Sequence, residues 1–254
     1  MRTKVFALRT IKEILRDPLS YILSMAFPIL MLIIMTIIDA SIPAEANMTA
    51  FRINNLAPGI AYFGLTFIML FTCIQISKDR ATALVMRLQA SPMKPFDFIF
   101  GYIIAVISLA IMQMVITYAA SVIVALITGV SLPIGGLLLS ILALLPSAIM
   151  LISFGLLFGA IVNEKAAPGM CSIIISLAGI IGGVWMDVDS LGGVLLKVCK
   201  WFPFYHGVKL ARIAISGNND NLLKTILIVL AWMLGILLLS TFAMDRKLRK
   251  DVKM

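Results

Sequence analysis

Charge is scarce in this sequence. Only 13% of its 254 residues are Asp, Glu, Lys or Arg, while 61% are hydrophobic, against roughly 45–50% apolar in an ordinary soluble domain. So little charge cannot clothe a water-soluble surface, and the composition is that of an integral membrane protein, counted in spans of about 20 apolar residues rather than in domains. Histidine occurs once, as His206. No Ser/His/Asp, Cys/His or paired-carboxylate grouping surrounds it, so catalysis is not indicated and His206 is expected to be a hydrogen-bonding anchor at the outer interface. Cysteine occurs three times, at Cys73, Cys171 and Cys199. They form no CxxC or metal-ligand spacing, and are expected to be small buried hydrophobes rather than a disulfide framework or zinc site. A GxxxxGK[ST] phosphate loop is absent, so the chain carries no ATPase site of its own. The expected spans also contain no Asp, Glu, Lys, Arg or His, which argues against a proton- or sodium-coupled transporter.

What is present is a succession of apolar runs. Residues 1–18, MRTKVFALRTIKEILRDP, set Val5, Leu8, Ile11 and Leu15 at helical spacing beside Phe6 and Ile14, with Arg2, Lys4, Arg9, Lys12 and Arg16 between them. This is the pattern of a basic amphipathic helix lying in the membrane interface. A cleaved signal peptide is the competing reading, but the apolar run that follows is about 20 residues long and the leader also holds Glu13 and Asp17. Spans are expected over about 19–38 (with Pro28 as a kink), 56–76, 98–127, 137–162, 168–184 and 222–244. Residues 185–221 are too broken to span. Two apolar pieces on either side of Pro203 suggest an outer helical hairpin at or dipping into the interface, with Trp185, Trp201 and Tyr205 as belt aromatics.

Six spans place both termini on one side. Most of the 21 Lys and Arg fall on that side, in residues 1–18, 77–97, 163–167 and 245–254. The loops 39–55 and 129–133 opposite hold Arg52 alone, although 185–224 carries Lys197, Lys200, Lys209, Arg212 and Lys224. The bias puts the termini in the cytoplasm of a multi-pass protein of the cell (plasma or inner) membrane. The net charge of +9 thus reflects topology and lipid contact, not nucleic-acid binding.

The stretch that organises the chain is 78–101, KDRATALVMRLQASPMKPFDFIFG, with a cytosolic loop over 78–97. Lys78, Arg80, Arg87 and Lys94 stand against Asp79 and Asp97. Ala83–Leu88 reads as a short helix stopped by Ser91-Pro92, and Asp97 reads as the N-cap of the next span after Pro95. A compact basic helix held between two spans suits a soluble partner or lipid headgroups. Within the spans, the neutral polar residues Thr66, Thr72, Gln75, Gln113, Thr117, Tyr118, Ser172 and Ser176 are the candidates for a substrate path. The alternative is that they hydrogen-bond between helices or to their own backbone.

Three local patterns carry a resemblance. DRATALVMRLQASP (Asp79–Pro92) is similar to a stretch written ERExGTLERLxxSP, and is followed by a Gly101-Tyr102 pair. FGLLFGAIV (Phe154–Val162) precedes AAPG at 166–169, and GGVW precedes WFPFYHGVKLAR (Trp201–Arg212). In this order and spacing the chain resembles the ABC-2-type permease family, the membrane subunits of ATP-binding-cassette exporters. The resemblance implies an all-α fold of six transmembrane helices, with an N-terminal interfacial helix, a coupling helix between spans 2 and 3, and an outer helical segment before span 6. It also implies two copies, or this chain and a paralogue, each docking a separate ATPase subunit that holds the ATP and magnesium. Asp79, Arg80, Arg87, Leu88, Ser91 and Pro92 keep the family pattern and would contact that ATPase. Ala81 and Met86 replace its acids, and Ala83 and Leu84 its Gly-Thr, so a salt bridge at those positions is lost while the basic and apolar contact is kept. The function implied is drug- or antibiotic-resistance-like export of an amphiphile (drug, peptide antibiotic or lipid-like molecule). A non-transporting membrane scaffold or sensor, or an ion-coupled secondary transporter, are the alternatives.

Overall fold

The computed structural model describes residues 2–16, 18–43, 49–81, 95–217 and 221–251. Among them all regular structure is helical: α1 (Arg2–Arg16), α2 (Pro18–Ser41), α3 (Ile53–Ala81), α4 (Pro95–Thr128), α5 (Ile134–Ile161), α6 (Ala167–Ile181), α7 (Val188–Leu191), α8 (Gly193–Trp201), α9 (Pro203–Ser216) and α10 (Leu222–Asp251), with a 3-10 turn at Thr49–Phe51. The axis is α3, apolar on every side and touched by α2, α4, α5, α6 and α9. Leu56, Ile60, Tyr62, Leu65, Ile68 and Met69 are all fully buried along it. A helix apolar all round is stable only inside a bundle or a bilayer.

Close approach, more than hydrophobicity, drives helix association in lipid, and the seam between α3 and α5 shows it. Gly155 and Gly159 of the FGLLFGAI stretch face α3 one turn apart. A Cβ on Gly155 would stand 2.5 Å from the Met69 carbonyl oxygen, and one on Gly159 would stand 2.8 Å from Ile76 Cβ. The family-like motif is therefore a packing seam.

Among the described residues, five helices are long and apolar enough to cross a membrane: Ser24–Ser41, Ile53–Ala81, Asp97–Thr128, Ile134–Ile161 and Leu222–Lys247. Six spans were expected, and the shortfall is α6. At 15 residues its rise is about 22 Å, less than a hydrocarbon core of about 30 Å. It ends at the Gly182-Gly183 pair, where Gly183 takes φ +69° and the amides of Gly182 and Val184 fold back on the carbonyls of Ala178 and Gly179. Those glycines read in the sequence as part of a span. They are the helix stop.

Two boundaries also move at the polar stretch. Span 2 does not end at Ile76; α3 runs on through Lys78, Asp79 and Arg80 to Ala81. The next helix begins at Pro95 itself, where a missing N–H costs nothing, and Asp97 lies in its first turn rather than capping it. Charged residues therefore do lie in an apolar helix, at its end.

Beyond α6 the chain builds a hairpin. Gly207 of α9 sits against Tyr62 and Ser147, and the α9 residue Ile215 lies beside Gly136, so α9 runs antiparallel to α5. At the Phe202-Pro203 turn, Phe202 and Phe204 stack at 6.2 Å and Trp201 meets Trp232 edge-on at 6.5 Å. Trp232 lies about 15 Å along α10 from its start, so the hairpin turn is set well into the bundle. Two of the expected belt aromatics have partners within the chain. Trp185 folds over Gly179 and meets Phe63 edge-on at 4.8 Å. Tyr205 is buried and donates to Asp189 Oδ1 at 2.6 Å. Trp201 is exposed (71%).

Candidate functional site

A polar cluster lies where α3 ends and α4 begins, on either side of residues 82–94. Asp79 is buried and accepts from the Tyr102 hydroxyl at 2.5 Å and from Gln75 Nε2 at 3.3 Å. Arg80 Nη1 donates to the carbonyls of Gly159 at 2.8 Å and Val162 at 3.4 Å, and Ser77 Oγ reaches the Val162 carbonyl at 3.4 Å. The last carbonyls of a helix have no partners of their own and carry its negative pole. A guanidinium there completes α5 and fastens it to α3.

The lead helix joins the same assembly. Phe6, Ala7, Thr10 and Ile14 form its buried face. Phe6 lies edge-on to Phe98 at 5.5 Å and to Tyr102 at 5.0 Å. Gly101 makes room for it, since a Cβ there would stand 2.4 Å from Phe6 Cδ1. Thr3 Oγ1 donates to Asp97 Oδ1 at 2.9 Å, and Arg9 pairs with Glu13 along the helix. Four helices (α1, α3, α4 and α5) are thus tied together around the two ends of 82–94. Arg87, Leu88, Ser91 and Pro92 lie outside the described residues. Of the six expected coupling residues, Asp79 and Arg80 turn inward and anchor the base of the loop.

A second polar cluster holds the hairpin. Arg212 Nη2 donates to the Gly183 carbonyl at 2.8 Å and Nε to that of Asn55 at 3.2 Å. Burial pulls its pKa down while Asp187 and Asp189 nearby push it back up. Thr49 Oγ1 donates to Asp187 Oδ2 at 3.0 Å, so the start of α3, the end of α6 and α9 are held together. His206 is buried and, as expected, hydrogen-bonded. Its Nε2 lies 2.9 Å from the Lys200 carbonyl, which can only accept, so Nε2 carries the proton. Burial, chiefly, holds its pKa below the ordinary value.

A family model described as ABC-2 type transporter matches residues 1–216 of the chain. The chain belongs to that family. It is a multi-pass membrane transport component, of a family whose permeases generally work with ABC ATPases. No curated protein matches the chain.

In this ABC-2 permease, the polar residues proposed for a substrate path fall into two groups. Thr66, Thr72, Gln113 and Thr117 are buried within the subunit. Thr66 Oγ1 donates to the Phe63 carbonyl at 2.6 Å, Thr72 Oγ1 to that of Ile68 at 2.7 Å, and Gln113 Nε2 to Thr117 Oγ1 at 3.0 Å. Gln113 also lies across Gly64, where a Cβ would stand 2.0 Å from Nε2. Gln75 is bonded to Asp79, and Tyr118 shares a 2.5 Å hydrogen bond with Ser140. Ser172 and Ser176 are exposed on α6, although Ser172 Oγ bonds the Gly169 carbonyl at 2.8 Å. Sequence reasoning missed Tyr102 and Phe6 as partners. The only signal was the Gly101-Tyr102 pair, noted for its resemblance.

Proposed function

We propose that this ABC-2 permease is the membrane half of an ATP-driven exporter for an amphiphilic molecule such as a drug, peptide antibiotic or lipid-like compound. In this reading α6 and the turn after it complete a sixth crossing, both termini are cytoplasmic, and the chain sits in the plasma or inner membrane. α1 then lies on the cytoplasmic interface, with the exposed Val5, Leu8 and Leu15 in the acyl boundary, and the α8–α9 hairpin enters from outside. Two copies, or this chain and a paralogue, each take one ATPase, which holds the ATP and magnesium.

The observation that carries the proposal is the assembly around residues 82–94. A loop pushed by an ATPase transmits force only if its ends are fixed to elements that can move as bodies. Here its two stems are hydrogen-bonded or packed to α1, α4 and α5 together. Arg87, Leu88, Ser91 and Pro92 form the docking contact, and Asp79 and Arg80 position it. Because Thr66, Thr72, Gln113 and Thr117 are sealed inside one subunit, the path lies between two copies, along the exposed α6 face that carries Ser172 and Ser176. The uncharged spans favour an amphiphile over a bare ion. Purification of the tagged chain from its native membranes tests the reading. An ABC ATPase should be recovered near one-to-one, and the chain emerging alone from mild detergent would count against it.

A further inference from the structure

The fold uses one face of α1 and leaves the rest of its surface open. At about 100° per residue, Phe6, Ala7, Thr10 and Ile14, all buried, fill a sector about 100° wide. The remaining surface divides in two. Leu8, Ile11 and Leu15 share a sector about 60° wide, in which Leu8 and Leu15 are more than half exposed. Next to it Arg9, Lys12 and Arg16 share a sector of similar width. Lys12 and Arg16 are exposed, and Val5 stands among them, 64% exposed. Lys4, also exposed, lies one turn before Leu8. The ion pair of this helix is Arg9–Glu13; Lys4, Lys12 and Arg16 pair with no carboxylate among the described residues.

The contacts of α1 set its depth. Phe6 lies edge-on to Phe98 and Tyr102, and Thr3 Oγ1 donates to Asp97. These partners belong to the first two turns of the span Asp97–Thr128. The helix therefore meets the bundle at the end of a crossing, which is the depth of the headgroups, and not along its apolar length. An apolar strip beside a basic one matches a phospholipid layer at that depth. Acyl chains would lie against Leu8 and Leu15, and phosphates against the ammonium and guanidinium groups, whose aliphatic stems let them reach outward.

We propose that this outer surface of α1 binds the phosphates of anionic phospholipids in the adjoining leaflet, and that the lipid holds α1 on its seat beside the loop 82–94. Clustered Lys and Arg on a helix at a membrane surface draw anionic headgroups. The seat is the one that Gly101 makes for Phe6, so lipid charge reaches the stem of the loop through Phe6 and Thr3. The proposal rests on the interfacial placement of α1 given above and not on an ATPase partner.

Hydrogen exchange of the full chain tests this, in nanodiscs of phosphatidylcholine alone and of equal phosphatidylglycerol and phosphatidylcholine. Amides of 2–16 and of 97–102 should exchange several-fold more slowly with phosphatidylglycerol present. The difference should vanish in high salt, which screens the headgroup charge. It should also vanish in the triple variant Lys4→Gln, Lys12→Gln, Arg16→Gln. Lys165→Gln, exposed on the loop between α5 and α6, should keep it. Should the triple variant fail to fold, the salt series on the wild type decides alone. Leu8→Gln with Leu15→Gln should speed exchange in both bilayers, and no change there would overturn the interfacial placement itself. Equal exchange of the wild type in the two bilayers, or a difference that survives the triple change, would overturn the recognition of charge. So would slowing that appears only with a protein partner bound, which would make the face a protein contact. Absence of a co-purifying ATPase would leave these results untouched, so the two readings fail separately.

Discussion

Gly155→Ala should destabilise this protein far more than its chemistry suggests. In an exposed helix interior, Gly→Ala gains about 0.5–1 kcal/mol because alanine loses less backbone entropy. At Gly155 the added methyl would stand 2.5 Å from the Met69 carbonyl oxygen and 2.8 Å from Thr72 Cβ. The first is backbone and the second is a side-chain stem, so neither can swing aside; α3 and α5 must part. Overpacking of this kind costs about 1–3 kcal/mol, and the sum after the propensity gain stays unfavourable. For a chain of this length each kcal/mol moves the midpoint by about 2–4 °C, so a Tm lower by several degrees is expected. Melting in mild detergent, followed by the loss of the monodisperse peak, measures it. Gly135→Ala and Gly235→Ala are the controls, since a Cβ at either meets nothing within 4 Å; both should melt at or above the wild-type temperature. Equal losses at Gly155 and Gly235, or no loss at Gly155, would refute the close seam.

Three further outcomes follow from the polar clusters. Tyr102→Phe removes the hydroxyl that bonds the Asp79 carboxylate and should cost about 1.5–3 kcal/mol, a hydrogen bond to a charged group being stronger than a neutral one. Tyr118→Phe, which loses only a hydroxyl–hydroxyl bond, should cost about 1 kcal/mol; a reversed order in paired melts would contradict the assignment. Arg212→Gln breaks the bonds to the Gly183 and Asn55 carbonyls. Hydrogen exchange should then rise around 183–217 and stay unchanged around 75–81 and 97–102. His206 is held neutral by burial, its pKa lying below 6.5. The unfolded chain binds that proton first as the pH falls, so the stability this group contributes is full above about 6.5 and is lost as pH drops toward its folded pKa. His206→Gln should therefore flatten the fall in Tm between pH 7.5 and 5, and an identical pH profile would exclude the group.

The apolar runs made most of this fold legible, because a span announces itself by length alone. α1, with Phe6 and Ile14 on the face that meets α4, could also be seen as amphipathic. What the sequence hid was pairing. Asp79 looked like a loop charge, and nothing local says that its partner is Tyr102, 23 residues on and beyond the loop. The seat of Phe6 was hidden for the same reason: it exists only because residue 101 is glycine. Thr66, Thr72 and Gln113 read equally well as path or packing, since a lone hydroxyl or amide in an apolar helix has no pattern to reveal which way it faces. The Gly182-Gly183 stop was masked by apolar neighbours that extended the run to Val184.

The central claim is that residues 82–94, braced by α1, α3, α4 and α5, are where a separate ATPase engages this permease. Replacing 84–92 by a flexible linker of equal length removes the proposed docking element and keeps the hydrogen bonds of Asp79 to Tyr102 and of Arg80 to the Gly159 carbonyl. The measurement is ATP hydrolysis in the eluate of a tagged purification from native membranes, wild type beside the linker variant at equal recovery of chain. The account predicts activity with the wild type and its loss with the variant, whose melting temperature stays unchanged. Full activity with the linker variant would contradict it.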